Sequence, residues 1–270
     1  MKAKKIVSIA LTLVLAGALF AGCSSGALEG SVTMAGSTSM EKLAKSFAEA
    51  FQEKNDGVSV DVQLGGSGAG YTQCADGTVD IGNLSRALKD TEKSSDIVET
   101  IVAYDGIAIV INPANTVTNL TKEQIAAIYK GEITNWNQVG GADGEIVVVG
   151  REAGSGTRDG FEEIVGVKDA CKYQAELNET GAVKTTVAST AGAIGYISLG
   201  YVDDTVKAVT VDGVTATEET VKDKTYAIQR PFLMITKAGN DNEAAKAFME
   251  FVLSEEGQQI VKDLKFVPVN

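Results

Sequence analysis

The stretch IVVVGREAGSGTRDGFEE, residues 146–163, runs from four β-favouring aliphatics through glycines, hydroxyls and one arginine into the start of a helix. Ile146 to Val149 reads as a strand, and Gly150-Arg151-Glu152-Ala153-Gly154-Ser155-Gly156-Thr157 as the loop it feeds. The first N–H groups of a helix have no helical carbonyl to bond, and they sit at the positive end of the helix dipole, where an anion is favoured. Arg151, four residues ahead of Ser155, adds a guanidinium that can grip an oxyanion through two parallel bonds.

The same device occurs twice upstream. Ser31 to Ala35 reads as a strand, Gly36-Ser37-Thr38-Ser39 as a turn, and Met40 to Lys54 as an amphipathic helix with Leu43, Phe47 and Phe51 every four residues. Val58, Val60, Val62 and Leu64 then alternate with polar residues as a strand should, and Gly65-Gly66-Ser67-Gly68-Ala69-Gly70 leads into another helix. Strands alternating with helices predict an α/β protein with mostly parallel sheets. Three donor-bearing helix starts, brought together, would make a cage for an oxyanion without a large net charge.

Each loop also has a plainer reading. One hydroxyl among Ser37, Thr38 and Ser39 suffices to cap a helix. Ser67 lies in a glycine-rich turn that lacks both the GxGxxG spacing and a Walker lysine. Ser85-Arg86, just after the short strand Val79 to Gly82, offers either a surface arginine or a second guanidinium for an anion.

The remaining chain supplies the frame. Ile101 to Ile111 is a long apolar run suited to crossing between two lobes, and Phe232 to Thr236 is a strand that can return the chain to the first lobe. Thr121-x-x-Gln124 is a capping box for a helix ending near Lys130-Gly131, and the terminal helices span about Asn242 to Leu264. The expected division is lobe one over 28–107 with 229–270 and lobe two over 108–228, crossed near Gly106 to Ile111 and Gln229 to Leu233. The single Trp136 is read as packing.

The N-terminus carries Lys2, Lys4 and Lys5, an apolar run from Ile6 to Phe20, and then Ala21-Gly22-Cys23, the order of a secretory signal peptide over 1–22. The run is short for a membrane span. Cys23 directly after small residues resembles a bacterial lipobox, which implies lipidation of Cys23 and a tether over 23–30; Phe20 departs from the usual leucine. Loss of three lysines from 24 basic residues leaves 21 against 36 acidic ones, a formal charge of −15 that argues against nucleic acid. Such a charge does not bar an anion, since 0.1 M salt confines most surface effects to about 10 Å. The sequence has no histidine, which removes Ser-His and Cys-His catalysis and most transition-metal sites from consideration. No metal site or cofactor is expected. Cys74 and Cys171 are compatible with one disulfide or two thiols.

Six stretches, AGSTSMEKLA (35–44), LGGSGAGY (64–71), VDIGNLSRALK (79–89), IYKGEITNWNQVGG (128–141), GREAGSGTRDGFEE (150–163) and AGAIGYISLGY (191–201), occur in an order that resembles the extracytoplasmic phosphate-binding proteins serving phosphate ABC importers. The resemblance implies the two-lobed type II periplasmic-binding-protein fold, with two crossover segments and a dehydrated phosphate enclosed between the lobes. It carries phosphate contacts onto Ser37, Thr38, Ser39, Ser67, Ser85, Arg86, Arg151, Ser155, Gly156 and Thr157. It also implies permease subunits as partners, a monomer held to the bacterial cell membrane only by lipid, and no enzymatic activity. Well-known members place an aspartate near Ser85 to accept the proton of monohydrogen phosphate; Ser85-Arg86 stands here instead, which keeps sulfate or molybdate as the alternative ligand. A phosphate-ester hydrolase is disfavoured, because no group near the donor-loop serines is suited to deprotonate them.

Overall fold

A computed structural model describes residues 28–270; the expected signal peptide and Cys23 lie outside the described residues. One mixed sheet runs through the molecule in the order β2-β1-β3-β11-β4-β8-β6-β7. Its strands are β1 (Gly30–Gly36), β2 (Val58–Leu64), β3 (Ile81–Leu84), β4 (Ile97–Ile111), β6 (Val147–Arg151), β7 (Ala175–Leu177), β8 (Ala193–Ser198) and β11 (Gln229–Lys237). The two-residue β9 (Lys207–Ala208) adds to β4, while β5 (Asn119–Leu120) and β10 (Thr210–Val211) pair apart from the main sheet. The helices are α1 (Glu41–Lys54), α2 (Gly66–Ala75), α3 (Lys122–Tyr129), α4 (Gly156–Val165), α5 (Thr180–Ser189), α6 (Glu218–Lys222), α7 (Glu243–Leu253) and α8 (Glu255–Asp263). Among the described residues no helix is long and apolar enough to cross a membrane.

Every strand that feeds one of the three donor loops pairs in parallel: β1 with β2 and β3, and β6 with β7 and β8. The antiparallel pairs of the main sheet all involve the crossing strands β4 and β11. At 15 residues β4 spans about 50 Å. Its first part pairs with β11 as far as Gly106, and from Ile107 onward it pairs with β8.

Two halves follow from this exchange of partners. In the first, Leu43, Phe47 and Phe51 of α1 pack with Phe248 and Val252 of α7 and Val261 of α8 over Val32, Met34 and Phe232. In the second, Ile125, Ile128 and Tyr129 of α3 and Phe161 of α4 cover Ile107, Ile109 and Tyr196, and Trp136 is buried in that core with its Nε1 donating to the Gly192 carbonyl at 3.0 Å. Trp136 is therefore packing. The opposite faces are covered by Cys74 of α2 in the first half and by Val183 and Val187 of α5 in the second.

The capping box of α3 closes reciprocally, with Thr121 N donating to Gln124 Oε1 at 2.9 Å and Gln124 N to Thr121 Oγ1 at 3.1 Å. The strand expected from Val79 starts two residues later. Asp80 Oδ2 accepts from both Thr33 N and Thr33 Oγ1, so a side chain competes with strand pairing there. The region 242–264 divides into α7 and α8 at Ser254, whose hydroxyl caps α8 by accepting from Gly257 N at 3.2 Å.

Cys74 and Cys171 are free thiols packed against different cores. Burial pushes the Cys171 thiol up to about 11 and raises Cys74 as well, so both hold little thiolate near neutral pH. Protein lacking residues 1–23, denatured without reductant, is expected to take up two iodoacetamide groups by mass spectrometry, and the native fold far more slowly. Denatured protein that takes up none would carry a disulfide.

Candidate functional site

The three donor loops meet where the halves face each other. Ser37, at the end of β1, accepts from Ser39 N at 3.2 Å and donates to Ser85 Oγ at 2.8 Å. Ser67, in the first turn of α2, lies 3.3 Å from Ser85 Oγ and accepts from Ser85 N at 3.0 Å. These contacts link the first-half loops into one hydroxyl cluster. Across the cleft, Ser39 Oγ is 2.6 Å from Thr157 Oγ1, and Gly68 N donates to the Gly154 carbonyl at 2.9 Å. All of Ser37, Thr38, Ser39, Ser67, Ser85, Ser155 and Thr157 are buried.

The plain and the functional readings of the hydroxyls coexist. Ser155 caps α4 by accepting from Arg158 N at 3.3 Å, which uses an oxygen lone pair and leaves its proton to donate. Gly156 and Thr157 open α4, so their N–H groups lack helical acceptors. Gly156 also permits the close approach of the halves: a Cβ there would lie 2.2 Å from Ser67 Oγ and 2.8 Å from Ser85 Oγ.

Arg151 is wholly buried at the end of β6. Its Nε and Nη2 donate to Glu152 at 2.9 and 3.0 Å, and the Leu177 and Asn178 carbonyls hold the same edge at 3.0 and 3.2 Å. Tyr196 fixes the backbone by accepting from Arg151 N at 3.1 Å. With that edge anchored, Nη1 is turned to Thr180 Oγ1 at 3.1 Å.

Thr180 is a site residue that the sequence reading omitted. It starts α5, whose cap residue Glu179 makes no side-chain capping bond. Thr180 N donates to Thr38 Oγ1 at 3.3 Å, and its hydroxyl lies 3.2 Å from Thr38 Oγ1 and 3.1 Å from Ser39 Oγ. It is a fourth strand-to-helix start in the same cleft. The signal was a hydroxyl just ahead of the i, i+4 pair Val183 and Val187, without the glycines that mark the other loops.

Arg86 directly follows Ser85 of the hydroxyl cluster. Its guanidinium does not join the hydroxyl cluster: Nη1 and Nη2 donate to Glu92 at 2.6 and 2.8 Å, Nη1 also to the Ala87 carbonyl at 2.9 Å, and Nε faces Asp159 Oδ2 at 2.9 Å. A buried guanidinium needs a carboxylate partner, and Glu92, six residues on, supplies it.

Helix starts and hydroxyls converging between two α/β halves joined by two strands define a class, the two-lobed binding proteins whose ligand is enclosed by closure. Residues 22–256 match the family described as the PBP superfamily domain. The PstS phosphate-binding protein of Bacillus subtilis is 35% identical over 252 residues, covering 89% of this chain and 81% of the relative. A phosphate ABC transporter substrate-binding protein of Clostridium perfringens, described as putative and solved with bound phosphate, is 46% identical with a TM-score of 0.87, covering 89% of this chain and all of that one. An ABC-type phosphate transport receptor of Vibrio cholerae is 37% identical with a TM-score of 0.75, over 88% of this chain and all of that one. The chain belongs to the PBP superfamily and, within it, to the PstS phosphate-binding proteins.

Gly156→Ala places a methyl group against Ser67 and Ser85 only when the halves are closed. The substitution is expected to leave the melting temperature of ligand-free protein near that of the parent and to weaken inorganic phosphate binding by about tenfold or more in isothermal titration, a change of about 1.4 kcal/mol.

Proposed function

We propose that this protein captures inorganic phosphate in the cleft between its two lobes, outside the cytoplasm, and hands it unchanged to the permease subunits of a phosphate ABC importer. The observation that carries the proposal is the contact network of Ser37, Thr38, Ser39, Ser67, Ser85, Thr157 and Thr180, joined through Thr180 to the anchored guanidinium of Arg151, with Ser155 and Gly156 at the adjoining start of α4. Tetrahedral phosphate presents four oxygens in different directions, and donors from five loops suit that demand better than a single helix end would. Phosphate binding by relatives of 35% and 46% identity supports the same ligand here.

In this reading residues 28–107 and 229–270 form one lobe and 108–228 the other, and both must contribute donors for the ligand to be held. Residues 1–22 direct export, lipidation of Cys23 tethers a monomer to the cell membrane, and 23–30 lets it reach the permease. Binding without turnover accords with a sequence that has no histidine to serve as a general base for a serine nucleophile.

Purified mature protein stripped of ligand is expected to be stabilised by micromolar phosphate far more than by equal sulfate in a thermal melt, and Arg151→Ala should abolish most of that gain. Stabilisation by sulfate or molybdate above phosphate would reassign the ligand to another tetrahedral oxyanion. Indifference to all three would overturn the function.

A further inference from the structure

We propose that Arg86 and Lys89 on one lobe and Asp159 on the other form an ionic clasp that exists only in the closed cleft and slows the release of phosphate. The inference rests on the phosphate-capture reading and assigns to these residues a role apart from touching the ligand.

The first side of the clasp is a rigid platform. Glu92 accepts from both terminal nitrogens of Arg86 and from Lys89 N at 2.9 Å, so one carboxylate fixes the guanidinium and the following turn together. Arg86 directly follows Ser85, whose hydroxyl belongs to the cleft cluster. The second side is Asp159, in the first turn of α4, two residues beyond Thr157. Asp159 Oδ2 sits 2.9 Å from Arg86 Nε and 2.8 Å from Lys89 Nζ.

Neither Arg86 Nε nor Asp159 Oδ2 makes a conventional hydrogen bond among the described residues, although both atoms are buried. Their compensation is therefore Coulombic, and it comes from the opposite lobe. Two cations, Arg86 and Lys89, face two carboxylates, Glu92 and Asp159, so the closed group is neutral. Opening the cleft would remove Asp159 from that balance and return it to water.

The position of Asp159 gives the clasp a consequence for the ligand. A carboxylate in the first turn of α4 is stabilised by the helix dipole, as is an anion at Gly156 and Thr157. The two negative charges would repel each other at one helix end unless Asp159 were neutralised. Closure supplies that neutralisation from the first lobe, so ligand binding and clasp formation favour each other. Lys89 is half exposed, which places the clasp at the rim, where salt weakens it.

Simple electrostatics and the clasp predict opposite signs for one substitution. Removing the charge of Asp159 would tighten anion binding if proximity to the ligand were all that mattered. The clasp requires the reverse. In the full-length protein, Asp159→Asn is expected to weaken phosphate binding by about threefold to tenfold in isothermal titration, through faster release in stopped-flow trapping of freed phosphate. The melting temperature should fall with phosphate bound and hold without it, and Asp159→Glu should recover part of the loss. Raising the salt should speed release from the parent more than from Asp159→Asn. Unchanged or tighter binding by Asp159→Asn, or an equal fall in stability with and without phosphate, overturns the clasp while leaving phosphate capture intact. Failure of the parent itself to bind phosphate overturns both.

Discussion

Asp105 and Arg230 face each other on the two strands that join the lobes, in register across the β4–β11 ladder, and both are almost fully buried. Arg230 Nε and Nη2 donate to Asp105 Oδ2 at 3.0 and 2.8 Å. The pair reaches in both directions. Arg230 Nη1 donates to the Ser85 carbonyl at 3.0 Å, while Asp105 Oδ1 accepts from Ser198 Oγ at 2.9 Å and Leu199 N at 3.1 Å. Burial alone raises the Asp105 carboxyl above its ordinary range, and the guanidinium, the hydroxyl and the amide all oppose that rise. A buried ion pair of this kind adds little stability over a well-packed apolar pair, yet removing one partner typically costs about 3–5 kcal/mol. What the pair does here is geometric: it fixes a cleft loop of the first lobe and the end of β8 in the second to the same crossing point.

The same matching of charges recurs around the cleft and accounts for an anion site in a chain of net charge −12. Arg151 is held by Glu152, Arg158 by Glu162 and Glu176, and Arg86 by Glu92. With so many guanidinium charges already balanced, the Nη1 edge of Arg151 is left to share the attraction for an oxyanion with dipoles: hydroxyls and the N–H groups that open α2, α4 and α5. Such groups act over short distances, so the acidic surface beyond a Debye length has little say. In a closed, dry cleft each of these hydrogen bonds is also stronger than it would be in water.

The parts legible in the sequence were those where one segment carries its own signal. The three glycine- and hydroxyl-marked loops, the capping box at Thr121 and the four-residue spacing of Leu43, Phe47 and Phe51 depend on neighbours a few residues away. The parts that were not legible depend on partners far along the chain. Thr180 joins the site because α5 starts opposite Thr38, 142 residues earlier. Arg86 meets Asp159 because the start of α4 is brought beside it from far along the chain, and the separation of Cys74 from Cys171 is set by which core each thiol enters. The pairing of Asp105 with Arg230, 125 residues apart, becomes visible only when the register of β4 against β11 is known.

That register also locates where the lobes can turn. Gly106 is the last residue of β4 opposite β11, paired with Gln229, and Ile107 is the first opposite β8, paired with Ser198. Bending at this exchange disturbs the ladder within neither lobe, whereas bending elsewhere along β4 would break one of them. Gly106 has no side chain to obstruct the turn, and a Cβ there would lie 2.8 Å from Val221. The buried ion pair stands one residue away, so a turn about Gly106 would leave Asp105 and Arg230 together and act on the bonds from Ser198 and Leu199 to Asp105 and on the contacts across the cleft, such as Gly68 with Gly154 and Ser39 with Thr157. Two strands that stay bonded to each other therefore let the lobes part without either losing its core.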